Sequence, residues 1–304
     1  MPTPKYQTIG QLKDTRLMVG KILISADMEG TCGVVSWTQV MPPEVVGGSE
    51  PHSQDRYLRT RRRMTAEVNS AVEGALAGGA EEVIVNDGHD GKRNLIPEEL
   101  HPAVRFLSGS DMPLRMMQGV DLEGIAGVFY TGYHAKAGTS APLAHTWSRW
   151  LNDVRIDGVS TGEFGINAVV AGHFGIPVIL IAGDDKAVAQ TQALLGEQVI
   201  GVVVKEAIST YAALHLHPRK AQALIREAAE QAVRRLEAAR PFTLPTGCVV
   251  ELEFDHQAHA DQAALVPGVS RAGVRTVAWV PEDGERFIYT FNAIMRCATI
   301  RTPP

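Results

Sequence analysis

Apolar residues along this chain come in two textures. Short runs rich in branched side chains recur at Lys21–Ala26, Glu81–Val85, Val104–Leu107, Ile125–Thr131 and Ile176–Ile181, and each has the length and composition of a buried strand. Between the first two runs, Met64, Val68, Ala71, Val72, Ala75 and Leu76 repeat at spacings of three and four. That periodicity predicts a helix over Arg56–Ala77, stopped by Gly78-Gly79. A second helix is predicted to open at Glu163 and to carry Phe164, Ala168, Val169 and Gly172. Strand–helix–strand order of this kind predicts an α/β fold, a mainly parallel sheet flanked by helices. From about Val203 the texture changes. Helices are predicted at Ala207–Leu214 and Pro218–Ala239, a turn-rich linker at Pro241–Thr246, strands at Cys248–Phe254 and Val274–Val280, and a closing helix at Ile288–Ala298. The expected division is an N-terminal extension over 1–20, an α/β metal-binding catalytic domain over 21–204, and a smaller C-terminal α+β domain over 205–304.

The chemistry sits where the strands stop. The first strand breaks into Asp27-Met28-Glu29-Gly30, the second into Asn86-Asp87-Gly88-His89, and the fourth into Gly132-Tyr133-His134. His145 and Glu163 follow on nearby connections. Parallel strands bring their carboxyl ends to one edge of the sheet, where ligands of open α/β folds bind. If the chain stays extended past Ala26, Asp27 and Glu29 project to the same side, and two carboxylates that close need a cation or a proton between them. An oxygen and imidazole donor set without thiolate suits Zn²⁺ or a similar divalent ion. Five or six donors exceed the three of a single catalytic zinc, which points to a two-metal site with a shared carboxylate. Asn86 and Asp87 are candidates for hydrogen bonds that orient His89. His215, His217, His256 and His259 read as structural or surface residues.

Composition narrows the setting. With 304 residues, 45% of them hydrophobic, the chain can bury a full core. A net charge of −5 and a pI near 6.1 argue against a nucleic-acid partner. Cys32, Cys248 and Cys297 are odd in number and far apart, so they make neither a disulfide framework nor a metal knuckle. Cys32 lies three residues from Glu29 but has no histidine beside it to activate a thiolate. No run approaches the roughly 18 apolar residues that would span a bilayer, and the first twenty residues lack the apolar core of a signal peptide. A cytoplasmic protein with no membrane partner is expected. Arg56, Arg59, Arg61, Arg62 and Arg63 crowd the start of the long helix, where cations oppose the macrodipole. A subunit contact or a solvated face is the favoured explanation, with substrate-carboxylate binding the alternative.

SADMEG (Ser25–Gly30), VNDGH (Val85–His89), TGYHA (Thr131–Ala135), AHT around His145, GEFGINA (Gly162–Ala168) and IAGDD (Ile181–Asp185) occur here in one order and spacing. In both respects the chain resembles the D-aminopeptidase family of zinc peptidases (peptidase family M55), from about Lys21 to the C-terminus. The resemblance implies that Asp27 bridges two Zn²⁺ per subunit, that Glu29, His89, His134 and Glu163 complete the metal ligands, and that His145 is the catalytic histidine. It further implies hydrolysis of short peptides with an N-terminal D-amino acid by a metal-bound hydroxide, with His145 giving a proton to the leaving nitrogen or stabilising the tetrahedral intermediate. A homo-oligomer, a decamer of two stacked pentamers around a chamber, is implied as well. The loop Thr31–Asp55 is longer than the family's usual connection and Leu143–Asp157 is locally variable; both flank the expected pocket, where substrate choice is set. Two competing expectations remain: a binuclear metal hydrolase of another amide or a phosphoester, and a non-catalytic dipeptide-binding protein.

Overall fold

The structure is a computed structural model and describes residues 19–45 and 52–299. The extension expected over 1–20 lies outside the described residues but for its last two, and so does the 46–51 part of the loop expected after the acidic turn.

The first half of the chain builds strands β1 (Lys21–Ala26), β2 (Glu82–Asp87), β3 (Val104–Leu107), β4 (Ile125–Tyr133), β5 (Leu151–Ile156) and β6 (Val159–Thr161), with helices α1 (Trp37–Val40) and α2 (Ser53–Gly78). Helix α3 (Glu163–His173), strand β7 (Val178–Asp184), helix α4 (Asp185–Leu195), and strands β8 (Ile200–Ser209) and β9 (Ala212–His215) follow. The chain closes with α5 (Pro218–Arg234), β10 (Val250–Phe254), α6 (Gln257–Ala263), β11 (Ser270–Arg271), β12 (Thr276–Trp279) and α7 (Gly284–Cys297).

The main sheet runs β3-β2-β1-β4-β7-β8-β9. Its pairs are parallel except for the last, β8 with β9. The expected α/β class is therefore present. Side-chain alternation divides the core in two. Ile22, Ile24, Val83 and Val85 point into a cluster with α2 and α5, whereas Leu23, Ile84, Val128 and Tyr130 point into one with α3 and α7. Period two along buried parallel strands requires apolar partners on both faces, so their sequences read as near-continuous apolar runs. A second, antiparallel sheet runs β11-β12-β10-β5-β6. It draws β5 and β6 from before residue 205 and β10 to β12 from after it.

One expected element is wrong in kind. Residues Ala207–Leu214, expected as a helix, form the β8–β9 hairpin, with Lys205 opposite His215 and Ala207 opposite Ala213. Alanine and leucine favour helix locally, but Val202-Val203-Val204 has already committed the chain to a strand beside β7. The amide of Ala207 then donates to Asp185 Oδ1 at 2.8 Å, holding that strand to the start of α4. Tertiary pairing overrides a propensity worth a few tenths of a kcal/mol per residue.

Candidate metal centre

The backbone past β1 does not turn away from the sheet. Asp27 N donates to Thr131 O at 2.8 Å and Gly30 N to Gly132 O at 2.7 Å, while Thr31 N closes a turn on Met28 O at 3.1 Å, so DMEG does not stay extended past Ala26 but turns while held against the end of β4. Two glycines permit this approach. A Cβ on Gly30 would lie 1.8 Å from Tyr133 O, and one on Gly132, at φ +69°, would lie 2.1 Å from Asp27 O. Only glycine fits such contacts. The result is that Asp27 and Glu29 face the same side, over the ends of β2 and β4.

Asp27, Glu29, His89, His134 and Glu163 are all buried and line one cavity of about 390 Å³, together with half-buried His145. His89 Nδ1 lies 3.2 Å from Asp27 Oδ1 and 3.0 Å from Glu29 Oε2. His134 Nε2 lies 3.4 Å from Asp27 Oδ2 and 3.5 Å from Glu163 Oε1. The two oxygens of Asp27 thus face different imidazoles. His145 Nε2 is 3.9 Å from Glu163 Oε1, and its ring stacks on that of His134. The edge of Trp37 meets it from another side, at 5.2 Å between centroids.

Each imidazole is oriented by a backbone carbonyl: His89 Nε2 by Val40 O at 2.6 Å, His134 Nδ1 by Ala135 O at 3.0 Å, His145 Nδ1 by Leu143 O at 2.9 Å. A carbonyl only accepts, so in every case the outer nitrogen carries the hydrogen. The neutral ring then keeps its lone pair on the nitrogen facing the cavity, the arrangement that metal-binding histidines adopt. Val40 lies in α1, the one turn of helix inside what the sequence presents as a loop. The expected orienting role of Asn86 and Asp87 is not what the side chains do. Asn86 donates to Arg115 O and Gln118 O. Asp87 accepts from the amides of Asn94 and Leu95 and folds the following loop back. Neither side chain bonds the His89 ring; strand alternation sends the two neighbours to opposite faces of β2.

Electrostatics show what the cluster lacks. Burial, and then Glu29, pushes Asp27 up to about 7. Burial alone would raise Glu29 too, but His89 outweighs it and holds the carboxyl well below its usual range. His89 moves well above its ordinary value, burial being outweighed by Glu29 and Asp27, and His134 rises to about 10, burial being outweighed by Glu163. Three carboxylates out of water pull protons onto any base within reach. Asp27 Oδ2 and Glu29 Oε2 are buried without a hydrogen bond among the described residues. Donor atoms of Asp27, Glu29 and His134 lie within 4.8 Å of one another, and so do those of His134, His145 and Glu163. Orphaned carboxylate oxygens that share a cavity with inward imidazole nitrogens fit a divalent cation in the zinc class, which would take the place of the protons those nitrogens otherwise hold.

The supports of this centre were largely invisible in the sequence. Lys205, buried on β8, donates to Glu29 O at 2.5 Å, Val34 O at 2.8 Å and Thr31 O at 3.4 Å. Glu67 Oε1 accepts from Cys32 N, His215 Nδ1 from Gly33 N, and Leu216 O from the Cys32 thiol. Burial and the Glu67 charge raise that thiol to about 11, so it is no nucleophile at neutral pH. Asp184 caps α4 and also accepts from Ala135 N, next to His134. The arginines of α2 divide. Arg59 and Arg62 make surface pairs with Asp55 and Glu99, while Arg61 grips Asn94 O and Leu95 O and Arg63 grips Gly33 O. The second pair braces the two loops that carry His89 and Glu29. The one signal the sequence offered for Lys205 was a lysine inside an apolar strand run.

Comparison with known proteins agrees with this geometry. The family model for D-aminopeptidase matches residues 20–293. The D-aminopeptidase of Bacillus subtilis (strain 168) is 34% identical over 264 residues, covering 86% of this chain and 92% of the relative. The solved structure of the Zn-dependent D-aminopeptidase DppA from Bacillus subtilis, described as a self-compartmentalizing protease, superposes with a TM-score of 0.84 at 32% identity. It covers 91% of this chain and 97% of that one. On fold and sequence together, the chain belongs to the D-aminopeptidase family.

Proposed function

We propose that this protein is a zinc-dependent aminopeptidase that releases an N-terminal D-amino acid from short peptides. One observation carries the reading: the two oxygens of a buried Asp27 face His89 and His134 separately, as a carboxylate shared by two metal sites does. Glu29 and His89 would hold one Zn²⁺ and His134 and Glu163 the other, with Asp27 common to both. Zinc there supplies Lewis acidity and lowers the pKa of a coordinated water to about 7.

The chain's own groups do the rest. His145, with Nδ1–H committed to Leu143 O, has its Nε2 lone pair open to the cavity. That nitrogen takes a proton as water attacks the carbonyl and passes it to the leaving amine. Trp37 and Trp147 line the same cavity and give it apolar surface beside the carboxylates.

Assembly is part of the proposal. The β8–β9 hairpin exposes Ile208, Tyr211 and Leu214 at 67%, 62% and 63%, an apolar edge suited to a contact between copies. With a relative described as self-compartmentalizing, this supports a homo-oligomer, by family resemblance a decamer. Among the described residues no helix is long and apolar enough to cross a membrane. The three cysteines are unpaired, which favours a reducing, cytoplasmic setting.

Metal analysis of the purified protein, with hydrolysis of D-alanyl and L-alanyl dipeptides and a phosphodiester side by side, tests the reading. About two zinc ions per chain and release of D-alanine are expected. Turnover of the phosphodiester alone, or full activity after metal removal, sinks it.

A further inference from the structure

The cavity has a second wall that the catalytic reading leaves unused. Opposite in charge to Asp27, Glu29 and Glu163, it carries Lys92 and Arg115, with Arg149 exposed at the rim over the face of Trp37. Lys92 is 4% exposed. Its ammonium makes one hydrogen bond among the described residues, to Gly88 O at 2.8 Å, and has three hydrogens to give. Arg115 is held in place by Asn292 Oδ1 at Nε and by Ser110 O at Nη1. Its remaining N–H groups make no hydrogen bond among the described residues. Neither cation forms an ion pair among the described residues, although Asp90 lines the same cavity.

Two further features set this pair apart from ordinary surface charge. Lys92 and Arg115 both have φ +54°, a left-handed conformation that such side chains rarely adopt and that proteins retain chiefly where a site requires it. They also share the lining of one cavity. Burial lowers Lys92 to about 8 against the pull of Asp87 and Asp27, and Arg115 adds to the lowering. Like charges confined in one wall, each with donors to spare, make a receptor for an anion.

We propose that Lys92 and Arg115 anchor the C-terminal carboxylate of the substrate, so that the site selects very short peptides with both ends free. The inference rests on the peptidase reading for the identity of the ligand: a short peptide ends in a carboxylate, and a carboxylate close to the scissile bond suits cations in the same cavity as the metal ligands. Lys92 and Arg115 are specificity-determining residues that contact the substrate away from the reacting bond.

The test compares D-alanyl-D-alanine with D-alanyl-D-alaninamide, which differ only in the terminal charge. Zinc-loaded enzyme should show a kcat/KM at least about tenfold higher for the free acid, mostly through KM, as expected for a charge-assisted contact. Lys92→Met and Arg115→Gln should each shrink that ratio, and the double variant should bring it close to one. Calorimetry on His145→Ala, where turnover is slowed by about a hundredfold or more, reads binding instead: the acid should bind about tenfold tighter than the amide, and adding Lys92→Met should remove the difference. Equal kcat/KM and equal affinity for acid and amide in the unmodified cationic wall overturns the proposal without recourse to any variant of it. So does a parallel loss on both ligands in Lys92→Met, which is what a purely structural lysine would give. Carboxylate-dependent binding with no hydrolysis by the wild-type enzyme would uphold the anchor and remove the peptidase reading instead.

Discussion

The rings of His134 and His145 lie face to face, centroids 4.2 Å apart and planes within 7° of parallel, yet the two do different work. His134 Nε2 sits between Asp27 and Glu163. Burial lowers the pKa of His145 and the neighbouring His134 lowers it further, so His145 is the neutral partner with a free Nε2.

Removing His145 should therefore spare the metal and remove the proton carrier. His145→Ala is expected to lower kcat by about a hundredfold or more, the scale of a lost general acid–base group, with zinc content near that of the wild type. Asp27→Asn should lose zinc and activity together, because it weakens both halves of the centre. Metal analysis beside kcat on the two variants checks this. Full turnover by His145→Ala would reassign its role.

The close approach of β1 and β4 makes a second prediction. Gly132→Ala puts a methyl 2.1 Å from Asp27 O at a positive φ, and backbone has no rotamer by which to yield. The variant should lose about 3 kcal/mol or more, or fail to bind zinc because Asp27 and Glu29 are displaced. Gly138→Ala, also at positive φ but with nothing within 4 Å, is the control for conformational strain alone. Urea midpoints for the pair separate contact from strain. Equal destabilisation of the two removes the close-approach argument.

Why the ligands were legible and their supports were not has a physical cause. Asp27, Glu29, His89 and His134 stand where an apolar run stops, and parallel topology turns that one-dimensional pattern into a common edge. Ala207–Leu214 carried no such mark: its composition favours helix, and only the neighbouring strand makes it a hairpin. That hairpin matters to the site at both ends. Thr210 O holds Leu143 N, and Leu143 O in turn orients His145. Lys205 and His215 hold the turn after Glu29. Contacts between residues 29 and 205, or 143 and 210, have no local periodicity to announce them. Lys92 and Arg115 likewise stand outside every periodic run, and only the structure brings both into the cavity lining, each at φ +54°.

Lys205 gives the third prediction. Its ammonium satisfies the carbonyls of Glu29, Thr31 and Val34 in a region closed to water. Lys205→Met keeps the stem's volume and takes the ammonium from Glu29 O and Val34 O, while Thr31 O keeps the Val34 amide at 3.2 Å, at a cost of about 1–3 kcal/mol. Because Glu29 is displaced with its carbonyl, zinc affinity should fall by about tenfold to a hundredfold, as for other groups that orient metal ligands. Competition with a calibrated chelator measures the affinity. Wild-type affinity in a destabilised Lys205→Met would confine the lysine to holding the turn.

Glu67 behaves differently with pH. Its Oε1 accepts from Cys32 N at 2.9 Å, while Oε2 is buried with no hydrogen bond among the described residues. Burial raises its pKa from 4.5 to about 7, against the opposing effects of the Cys32 amide, Lys205 and Arg63. The folded state thus holds the proton more tightly than the unfolded chain. Its contribution to stability is fully present below pH 4.5 and is lost as pH rises through 7, by up to about 3 kcal/mol. Glu67→Gln cannot titrate, and its amide oxygen can still accept from Cys32. Relative to wild type it should be near neutral at pH 4.5 and more stable at pH 8, by about 2–3 kcal/mol. Urea unfolding of both proteins at the two pH values decides the matter. A difference that stays constant with pH would mean that Lys205 holds the carboxylate ionised throughout, and the pair would then be a buried ion pair bracing the turn after Glu29.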